Sequence, residues 1–109
     1  MKVIRKKVGC KPEVIEISNT LEALQREVGG NIEVVASYVI PAGIFIVNEE
    51  GIIQNLKRNC KAEGHDLYGT ILFAGVSGEE FCDVPKYAED RYKIKLYHGN
   101  LSTKAWVWR

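Results

Sequence analysis

KPEVIEISNTLEALQREVGG, residues 11–30, changes its hydrophobic period in the middle, and this change predicts the fold class. Residues 13–17 are mostly apolar and β-branched, which is typical of a strand. In the second half the apolar residues recur at intervals of three and four, which predicts a helix over residues 20–28. Gly29 and Gly30 follow, and glycine readily takes the left-handed conformation that ends helices. A strand that leads into a short helix indicates an α+β domain.

The change of period also locates the N-terminus of the predicted helix. The side chain of Asn19 can accept a hydrogen bond from an N–H group of the first turn, and Glu22 lies three residues further on. This spacing is typical of a capping box, in which each side chain accepts a bond from the other residue's backbone N–H. We therefore predict that Asn19 caps the helix.

The chain on either side of this segment predicts further strands. Residues 2–8 form a predicted first strand that pairs with residues 13–17. Residues 32–40 are rich in Val, Ile and Tyr, and the turn residues Pro41 to Gly43 separate them from a second apolar run at residues 44–47. Two such runs joined by a turn predict a hairpin.

The middle of the chain continues the predicted meander. Asn48 to Gly51 form a predicted turn with Gly51 at a positive φ angle, and Ile52-Ile53 begin the returning strand. Residues 55–66 contain only scattered apolar side chains, which indicates a loop or a single helical turn. Residues 67–76 then form a predicted buried strand.

The last third of the chain predicts mixed structure. Gly75 to Gly78 follow a strand without the lysine of a phosphate-binding loop, so they indicate a hairpin turn. A helix is predicted to start at Asp83 and to change to a strand near Tyr92. We expect Trp106 and Trp108 on one side of an extended segment, where they either seal the core or form an exposed stacking platform.

These elements predict an α+β fold, in which a small antiparallel sheet with a meander packs against one or two short helices. The 109 residues suit a single domain, residues 1–109, and 46% hydrophobic with 27% charged residues is a globular composition. A formal net charge of +1 excludes a strong overall field toward nucleic acid, and it also excludes a carboxylate-coated mimic of DNA.

Basic residues nevertheless crowd the N-terminus. Lysines protect exposed sheet edges, so the predicted first strand is interpreted as a solvated edge strand, with a phosphate-binding strip as the alternative. The basic residues are Lys2, Arg5, Lys6, Lys7 and Lys11.

The cysteines and the absence of apolar segments indicate the compartment. Cys10, Cys60 and Cys82 are widely separated and odd in number, which favours a reducing compartment. The first residues lack the apolar core of a signal peptide, and no run approaches the length of a membrane span. We expect a cytoplasmic protein of a bacterial host, without a membrane partner.

Four segments occur in a distinctive order: LEALQREVGGNIEVV at 21–35, IVNEEG at 46–51, Asn55 to Asn59, and LYGTILFAG at 67–75. The order is similar to that of small proteins classed only as a domain of unknown function, and the resembling region covers residues 10–82, leaving 83–109 as a C-terminal extension. The resemblance implies a mobile-element setting, because the family's members come largely from phages, plasmids and integrative elements of Firmicutes and from gut metagenomes. It implies no catalytic residues.

Polar side chains collect around the predicted loop after the hairpin. Binding residues concentrate on loops held by a rigid sheet, asparagine amides can recognise a base edge, and arginine can bind phosphate through two parallel bonds. Turns select the same residue types, so a structural role is the alternative. The predicted ligand contacts are Asn48, Glu49, Asn55, Arg58, Asn59 and Tyr68, with Trp106 and Trp108 as stacking groups.

Motifs for catalysis and metal binding are weak. Glu49 and Glu50 are adjacent, and adjacent side chains of an extended segment point to opposite faces, so they are a poor acid–base pair. Cys60 and His65 have the spacing C-x4-H without a second pair, even if Cys82 or His98 joins them, whereas a structural zinc needs four ligands. We therefore predict no catalytic residues, no metal and no cofactor.

The small size, the loop polar residues and the resemblance lead to a functional hypothesis. We expect a counter-defence binding protein that acts stoichiometrically, either by sequestering an immune nucleotide signal, such as a cyclic nucleotide or an ADP-ribose derivative, or by blocking a host immune protein. We also expect a homo-oligomer and no nucleic-acid partner. The alternatives are a small nucleotide hydrolase with Glu49 or His65 as base, and a nucleic-acid accessory protein that uses the basic N-terminus.

Overall fold

The computed structural model describes residues 1–86 and 88, which include one complete helix and eight strands. The bounds, in chain order, are β1 (Lys2–Lys6), β2 (Glu13–Glu16), α1 (Leu21–Val28), β3 (Ile32–Ala36), β4 (Gly43–Asn48), β5 (Arg58–Ala62), β6 (His65–Tyr68), β7 (Ile71–Ser77) and β8 (Glu80–Cys82).

The main sheet is antiparallel, with strand order β2-β1-β7-β4-β3, and β8 pairs with the end of β7. Strands β1 and β2, β3 and β4, and β7 and β8 are consecutive pairs, whereas β5 and β6 form a separate two-stranded sheet. The predicted class, a small α+β fold with a meander-like antiparallel sheet and a short helix, is confirmed.

Both faces of the sheet are covered by other elements. Successive side chains of a strand point to opposite sides, so each strand contributes residues to both faces. On one face α1 packs Leu24 and Val28 against side chains of β1, β4 and β7. On the other face the β5–β6 hairpin packs Cys60 and Leu67 against the alternate residues of the same strands. Burial on both faces explains why β4 and β7 have continuous apolar sequences.

The two phenylalanines of the central strands form the middle of the hairpin-side core. Phe45 and Phe73 are directly opposite each other on β4 and β7, with ring centroids 4.9 Å apart and planes inclined at 66°. This edge-to-face arrangement is favourable for aromatic pairs. It leaves no room for a side chain at Gly43, where an added Cβ would lie 2.6 Å from Cζ of Phe73.

A buried carboxylate fastens the tip of the β5–β6 hairpin to the loop between β3 and β4. Glu63 accepts hydrogen bonds from the hydroxyl of Ser37 (2.7 Å) and from the backbone N–H of Tyr38 (3.0 Å). The hydroxyl of Tyr38 donates in turn to the carbonyl of Glu63 at 2.6 Å. These bonds fix the hairpin against the sheet.

The helix ends as predicted, but its N-cap is one residue later than predicted. Thr20, and not Asn19, has the extended cap conformation, and its hydroxyl accepts a bond from the N–H of Ala23 at 3.2 Å. The amide of Asn19 instead donates to the carbonyl of Phe81 at 2.9 Å, which ties the chain to β8. Gly29 has a φ of 81°, and its N–H donates to the carbonyl of Gln25, so the predicted glycine stop is confirmed.

Two expectations for the segment after β4 are wrong. Ile52 and Ile53 do not begin a strand but lie in an exposed turn over residues 49–55. In this turn the positive φ belongs to Asn55 (56°) and not to Gly51. Position 51 has little space for a side chain, since an added Cβ would lie 3.1 Å from Cβ of Tyr68.

Residues 55–66 do not form a loop, because β5 and the start of β6 lie within them. The predicted strand at residues 67–76 is interrupted: β6 ends at Tyr68, Gly69 has a φ of 77°, and β7 begins at Ile71. The hairpin turn predicted over Gly75 to Gly78 is shorter than predicted: Gly75 to Ser77 still belong to β7, and the turn to β8 begins at Gly78, which has a φ of 62°.

The first strand is shorter than predicted and does not lie at the edge of the sheet. Strand β1 is flanked by β2 and β7, so the interpretation of its lysines as protection for an edge is wrong. Its side chains alternate between the two faces. Arg5 lies on the α1 side, where it forms ion pairs with Glu27 (2.9 Å) and Glu13, and these two partners raise its pKa.

Two helical residues of the last predicted helix are among the described residues. Lys86 and Ala88 are helical, Val84 and Ala88 are buried in the hairpin-side core, and Asp83 accepts a bond from the N–H of Lys2 at 2.8 Å. The predicted change to a strand near Tyr92 and the predicted roles of His98, Trp106 and Trp108 lie outside the described residues.

Candidate ligand-binding site

A cavity of about 380 Å³ opens between the turn at residues 49–55, the sheet and strand β6. Its walls combine an apolar lining with carboxylate side chains. The lining residues are Glu33, Val47, Asn48, Glu49, Glu50, Gly51, Ile52, Ile53, Asp66, Leu67 and Tyr68.

Backbone hydrogen bonds give the turn beside the cavity a fixed shape. The N–H of Gln54 donates to the carbonyl of Glu50 at 2.8 Å, and the N–H of Leu56 donates to the carbonyl of Gly51 at 2.9 Å. These bonds leave the side chains of Ile52 and Ile53 exposed, by 69% and 77%. The turn therefore presents two large apolar side chains at the rim of the cavity.

Asn48 lies at the cavity, but its side chain serves the fold. Its amide nitrogen donates to the carbonyl of Val28 (3.2 Å) and to Oε1 of Gln54 (3.1 Å). Its amide oxygen accepts a bond from the N–H of Glu50 at 2.7 Å, which is an Asx turn. Both amide donors are thus used within the protein, and Asn48 shapes the wall by joining the turn to the end of α1.

Asn59 is a buried residue of β5 and does not line the cavity. Its amide nitrogen donates to the carbonyls of Lys6 (2.8 Å) and Gly69 (2.7 Å). Its oxygen accepts a bond from the ammonium of Lys6 at 2.7 Å, and Lys6 itself is 8% exposed. The pair connects β1 to the hairpin.

The other predicted ligand contacts are divided between the cavity and the surface. Glu49 is exposed and Tyr68 is half-buried, and both line the cavity. Arg58 is exposed on β5, where its Nε and Nη2 donate to Oδ1 of Asp66 at 3.1 and 3.0 Å. Asn55 is an exposed turn residue. The fold therefore brings Asn48, Glu49 and Tyr68 together at the cavity. Asn55, Arg58 and Asn59 do not line it. The two tryptophans lie outside the described residues.

Sequence reasoning missed several residues of the cavity. Glu33 and Asp66 come from strands that are distant in the chain, and neither belongs to a motif. The available signal for Glu33 was a single charge within an otherwise apolar strand. The sequence predicts that Ile52 and Ile53 begin the returning strand of the meander, and this prediction does not indicate their exposure in a turn.

The cavity is strongly acidic. Glu33, Glu49, Glu50 and Asp66 line it, and among residues 1–86 and 88 no lysine, arginine or histidine does. Within residues 1–86 and 88, Asp66 has a salt bridge with Arg58, whereas the side chains of the three glutamates have none. Unpaired carboxylates beside an apolar wall create a negative potential that favours a cation.

The cysteine and histidine of the C-x4-H motif do not form a reactive pair. Cys60 is fully buried against the sheet, and burial raises the pKa of its thiol to about 11. A thiol with such a pKa is a poor nucleophile at neutral pH. His65 is exposed at the start of β6. In the described part of the chain, no three His, Cys, Asp or Glu side chains are grouped as a metal ion requires.

Neither α1 nor any other helix among the described residues has the length and apolar character that are needed to cross a bilayer.

The chain belongs to a family of uncharacterised domains. The family model described as domain of unknown function (DUF3846) matches residues 1–97, which includes the whole sheet, the helix and the cavity. The predicted resemblance to such a family is confirmed, and the match is longer than the segments that suggested it. No curated protein and no solved structure matches the chain.

Proposed function

We propose that this protein is a stoichiometric binding protein whose cavity between the 49–55 turn and β6 receives a positively charged segment of another protein. The observation that supports this proposal is the combination of an apolar wall with three glutamates that have no salt bridge among the described residues. The proposed setting is a phage or another mobile element, and the proposed site of action is the cytoplasm of its bacterial host, where the protein blocks a host defence protein.

The charge of the cavity distinguishes the two modes of counter-defence that the sequence suggested. A nucleotide signal carries phosphates, and these would approach Glu33, Glu49 and Glu50 against repulsion. A lysine or arginine side chain instead gains an attraction of up to about 1 kcal/mol for each close carboxylate at an exposed rim. The geometry thus favours a protein target over a cyclic nucleotide or an ADP-ribose derivative.

The rim of the cavity supports the same choice. Ile52 and Ile53 expose most of their surface next to the carboxylates. Protein interfaces combine an apolar centre with a polar surround, and covering exposed isoleucine side chains removes apolar surface from water, which is favourable. A protein surface with a basic residue beside apolar ones would cover both parts of this site.

The two alternative functions have weaker support. Of the proposed hydrolytic bases, Glu49 lines the cavity but His65 does not. For the nucleic-acid hypothesis, Lys6 is buried against Asn59 and Arg5 is paired with two glutamates, so the basic residues do not form one exposed strip. That hypothesis now depends on Lys2, Lys7 and Lys11, and Lys7→Glu would have to lower DNA affinity. Self-association stays a prediction.

The proposal is tested with the double variant Glu49→Gln/Glu50→Gln. We expect binding of a basic host protein to weaken about tenfold, because two carboxylates of the rim lose their charge. The matched control is Glu79→Gln/Glu80→Gln, which makes the same change at the exposed β7–β8 turn and should leave binding unchanged.

A thermal-shift screen of nucleotides tests the competing hypothesis, in which the ligand is a nucleotide signal. A ligand at a hundredfold excess over its dissociation constant adds about 2.7 kcal/mol to stability, which is a shift of several degrees. We expect no such shift with cyclic oligonucleotides or ADP-ribose isomers. A clear shift with one of them would contradict the proposed protein target and would identify a nucleotide as the ligand. Recovery of that nucleotide in cleaved form after heat denaturation would establish a hydrolase.

A further inference from the structure

Strand β3 is an edge strand that the described residues leave open. It pairs with β4 on one side, and no strand within residues 1–86 and 88 pairs with its other side. The opposite edge, β2, is preceded by Pro12 and has a glutamate at each end, features that discourage further pairing. Strand β3 has no proline and a single charge, Glu33.

The hydrogen bonds of the β3–β4 hairpin show which backbone groups of β3 point outwards. The N–H of Glu49 donates to the carbonyl of Asn31, and the N–H of Ser37 donates to the carbonyl of Gly43, at 2.8 and 2.9 Å. Each of these bonds lies next to a non-hydrogen-bonded pair. The pair at one end of β3 is Ile32 opposite Asn48, and the pair at the other end is Ala36 opposite Ile44.

Since the pattern alternates, Glu33 and Val35 bond to β4, whereas the N–H and C=O groups of Ile32, Val34 and Ala36 face away from it.

The side chains of β3 place the cavity beside this open edge. Glu33 is opposite Val47, which packs in the hairpin-side core, so Glu33 lies on the hairpin side of the sheet and lines the cavity. Val34 is on the other side and is 44% exposed. A strand added next to β3 would therefore have one of its side chains beside Glu33, at the entrance of the cavity.

We propose that β3 receives an extended segment of a partner protein as an additional strand, with a lysine or arginine of that segment opposite Glu33 and directed into the cavity. This inference rests on the proposed function and adds the mode of recognition. In strand addition the main-chain bonds supply affinity and pockets for alternate side chains supply specificity. The open edge and the acidic cavity provide these two parts.

Charge complementarity and distance both select a basic segment as the occupant. Neighbouring strands lie about 4.8 Å apart. The residue opposite Glu33 would form a non-hydrogen-bonded pair, in which side chains approach most closely, and an opposite charge is favourable there. A second copy of this chain that paired antiparallel through β3 about Val34 would place Val35 opposite Glu33 and would leave the carboxylates without a cation.

The test uses a phage-displayed library of random peptides about nine residues long, enough to span a strand of this size. We expect selection on the whole protein to enrich peptides with one lysine or arginine between β-branched residues at alternate positions. Val34→Pro removes an outward N–H without removing a bond to β4, and proline is tolerated at such an edge position. Val34→Ala shortens the same side chain and keeps the N–H, so it is the matched control.

We expect the selected peptides to bind Val34→Pro about tenfold more weakly than wild type, because one main-chain bond is lost and its neighbours are disturbed. Binding to Val34→Ala should be unchanged. A second measurement does not depend on how the variant folds. The selected peptide is resynthesised with N-methyl groups at alternate residues, and it should also lose affinity for the wild-type protein.

The other outcomes overturn the inference in distinguishable ways. If Glu49→Gln/Glu50→Gln weakens binding while Val34→Pro and N-methylation do not, the cavity binds a cation but the edge is not used. If none of these changes matters, or if no peptide is enriched, both proposals fail. If the wild-type protein is a dimer in solution and Val34→Pro is a monomer, a second copy occupies the edge.

Discussion

At the scale of single residues, the amide of Asn59 joins three segments that are far apart in the sequence. It donates to backbone carbonyls of β1 and of the bend before β7, and it accepts a bond from the ammonium of Lys6. A buried ammonium requires an acceptor, and a buried carbonyl requires a donor. One side chain therefore satisfies two carbonyls and one charge.

Asn59→Ala is expected to lower the free energy of unfolding by about 3 kcal/mol, because it leaves a buried charge and two carbonyls unsatisfied. Urea denaturation measures this change. The control is Asn55→Gly, at an exposed residue with φ 56°, which should alter stability by less than about 0.5 kcal/mol. Lys6→Met in the Asn59→Ala background should recover part of the loss. An Asn59→Ala variant as stable as wild type would contradict the role assigned to this pair.

The sequence identifies polar residues near a turn but does not show which of them serve a ligand. Asn48 and Asn59 were predicted as ligand contacts, and both use their amides inside the protein. The same donors and acceptors suit either role, and only the positions of distant partners such as Val28 and Lys6 distinguish them. The acidic character of the cavity was not predictable for the same reason, since Glu33 and Asp66 meet only through the fold.

At the scale of elements, α1 depends on its ends and on one apolar stripe. With eight residues it is too short to be stable alone in water. Leu24 and Val28 pack on the sheet, Thr20 caps the first turn, and Gly29 satisfies the carbonyl of Gln25. The packing residues and the glycine stop were predictable from periodicity. The cap was misplaced because Asn19 and Thr20 are both good caps.

Thr20→Ala is expected to lower the free energy of unfolding by about 1 kcal/mol, since the N–H of Ala23 loses its acceptor. Thr20→Ser keeps the hydroxyl oxygen and should be close to wild type. Denaturation of both variants under one set of conditions gives the difference. Equal losses in both variants would mean that the methyl group of Thr20, and not its cap bond, stabilises this end of the helix.

The β5–β6 hairpin and the turn before it show why short elements escaped prediction. Strand β5, RNCKA, has no β-branched residue, and only its alternate side chains are apolar. It is a strand because Cys60 and Ala62 are buried against the sheet. Ile52 and Ile53 have the opposite property, a high strand propensity in a turn whose shape is set by Asn48 and Gly51. In both cases tertiary contacts outweigh local preference.

At the scale of the whole molecule, the sheet holds its two outer layers through the same central strands. Strand β7 is inserted between β1 and β4, and it contributes alternate residues to the helix side and to the hairpin side. Periodicity predicts that β7 is buried but contains no information on which strands flank it. The antiparallel class could therefore be predicted from the sequence, whereas the strand order could not.

The shared strands lead us to expect that the hairpin and the sheet unfold together. Cys60 reports on the hairpin, because its thiol is fully buried beneath it and, with a pKa of about 11, is almost entirely protonated at pH 8. In a Cys10→Ser/Cys82→Ser variant it is the remaining thiol. A disulfide reagent should then modify Cys60 only through opening, with the same free energy and the same dependence on urea as global unfolding followed by circular dichroism.

The control for this measurement is a variant that retains only Cys10, which is exposed and should react at once without urea. Modification of Cys60 at low urea, with a free energy and a urea dependence well below the global values, would show that the hairpin opens by itself. That result would contradict the cooperative coupling. It would also mean that the cavity, whose wall includes Asp66, Leu67 and Tyr68 of β6, opens and closes without unfolding of the sheet. Coincident values would instead establish the cavity as a fixed part of the folded molecule, formed before any partner arrives.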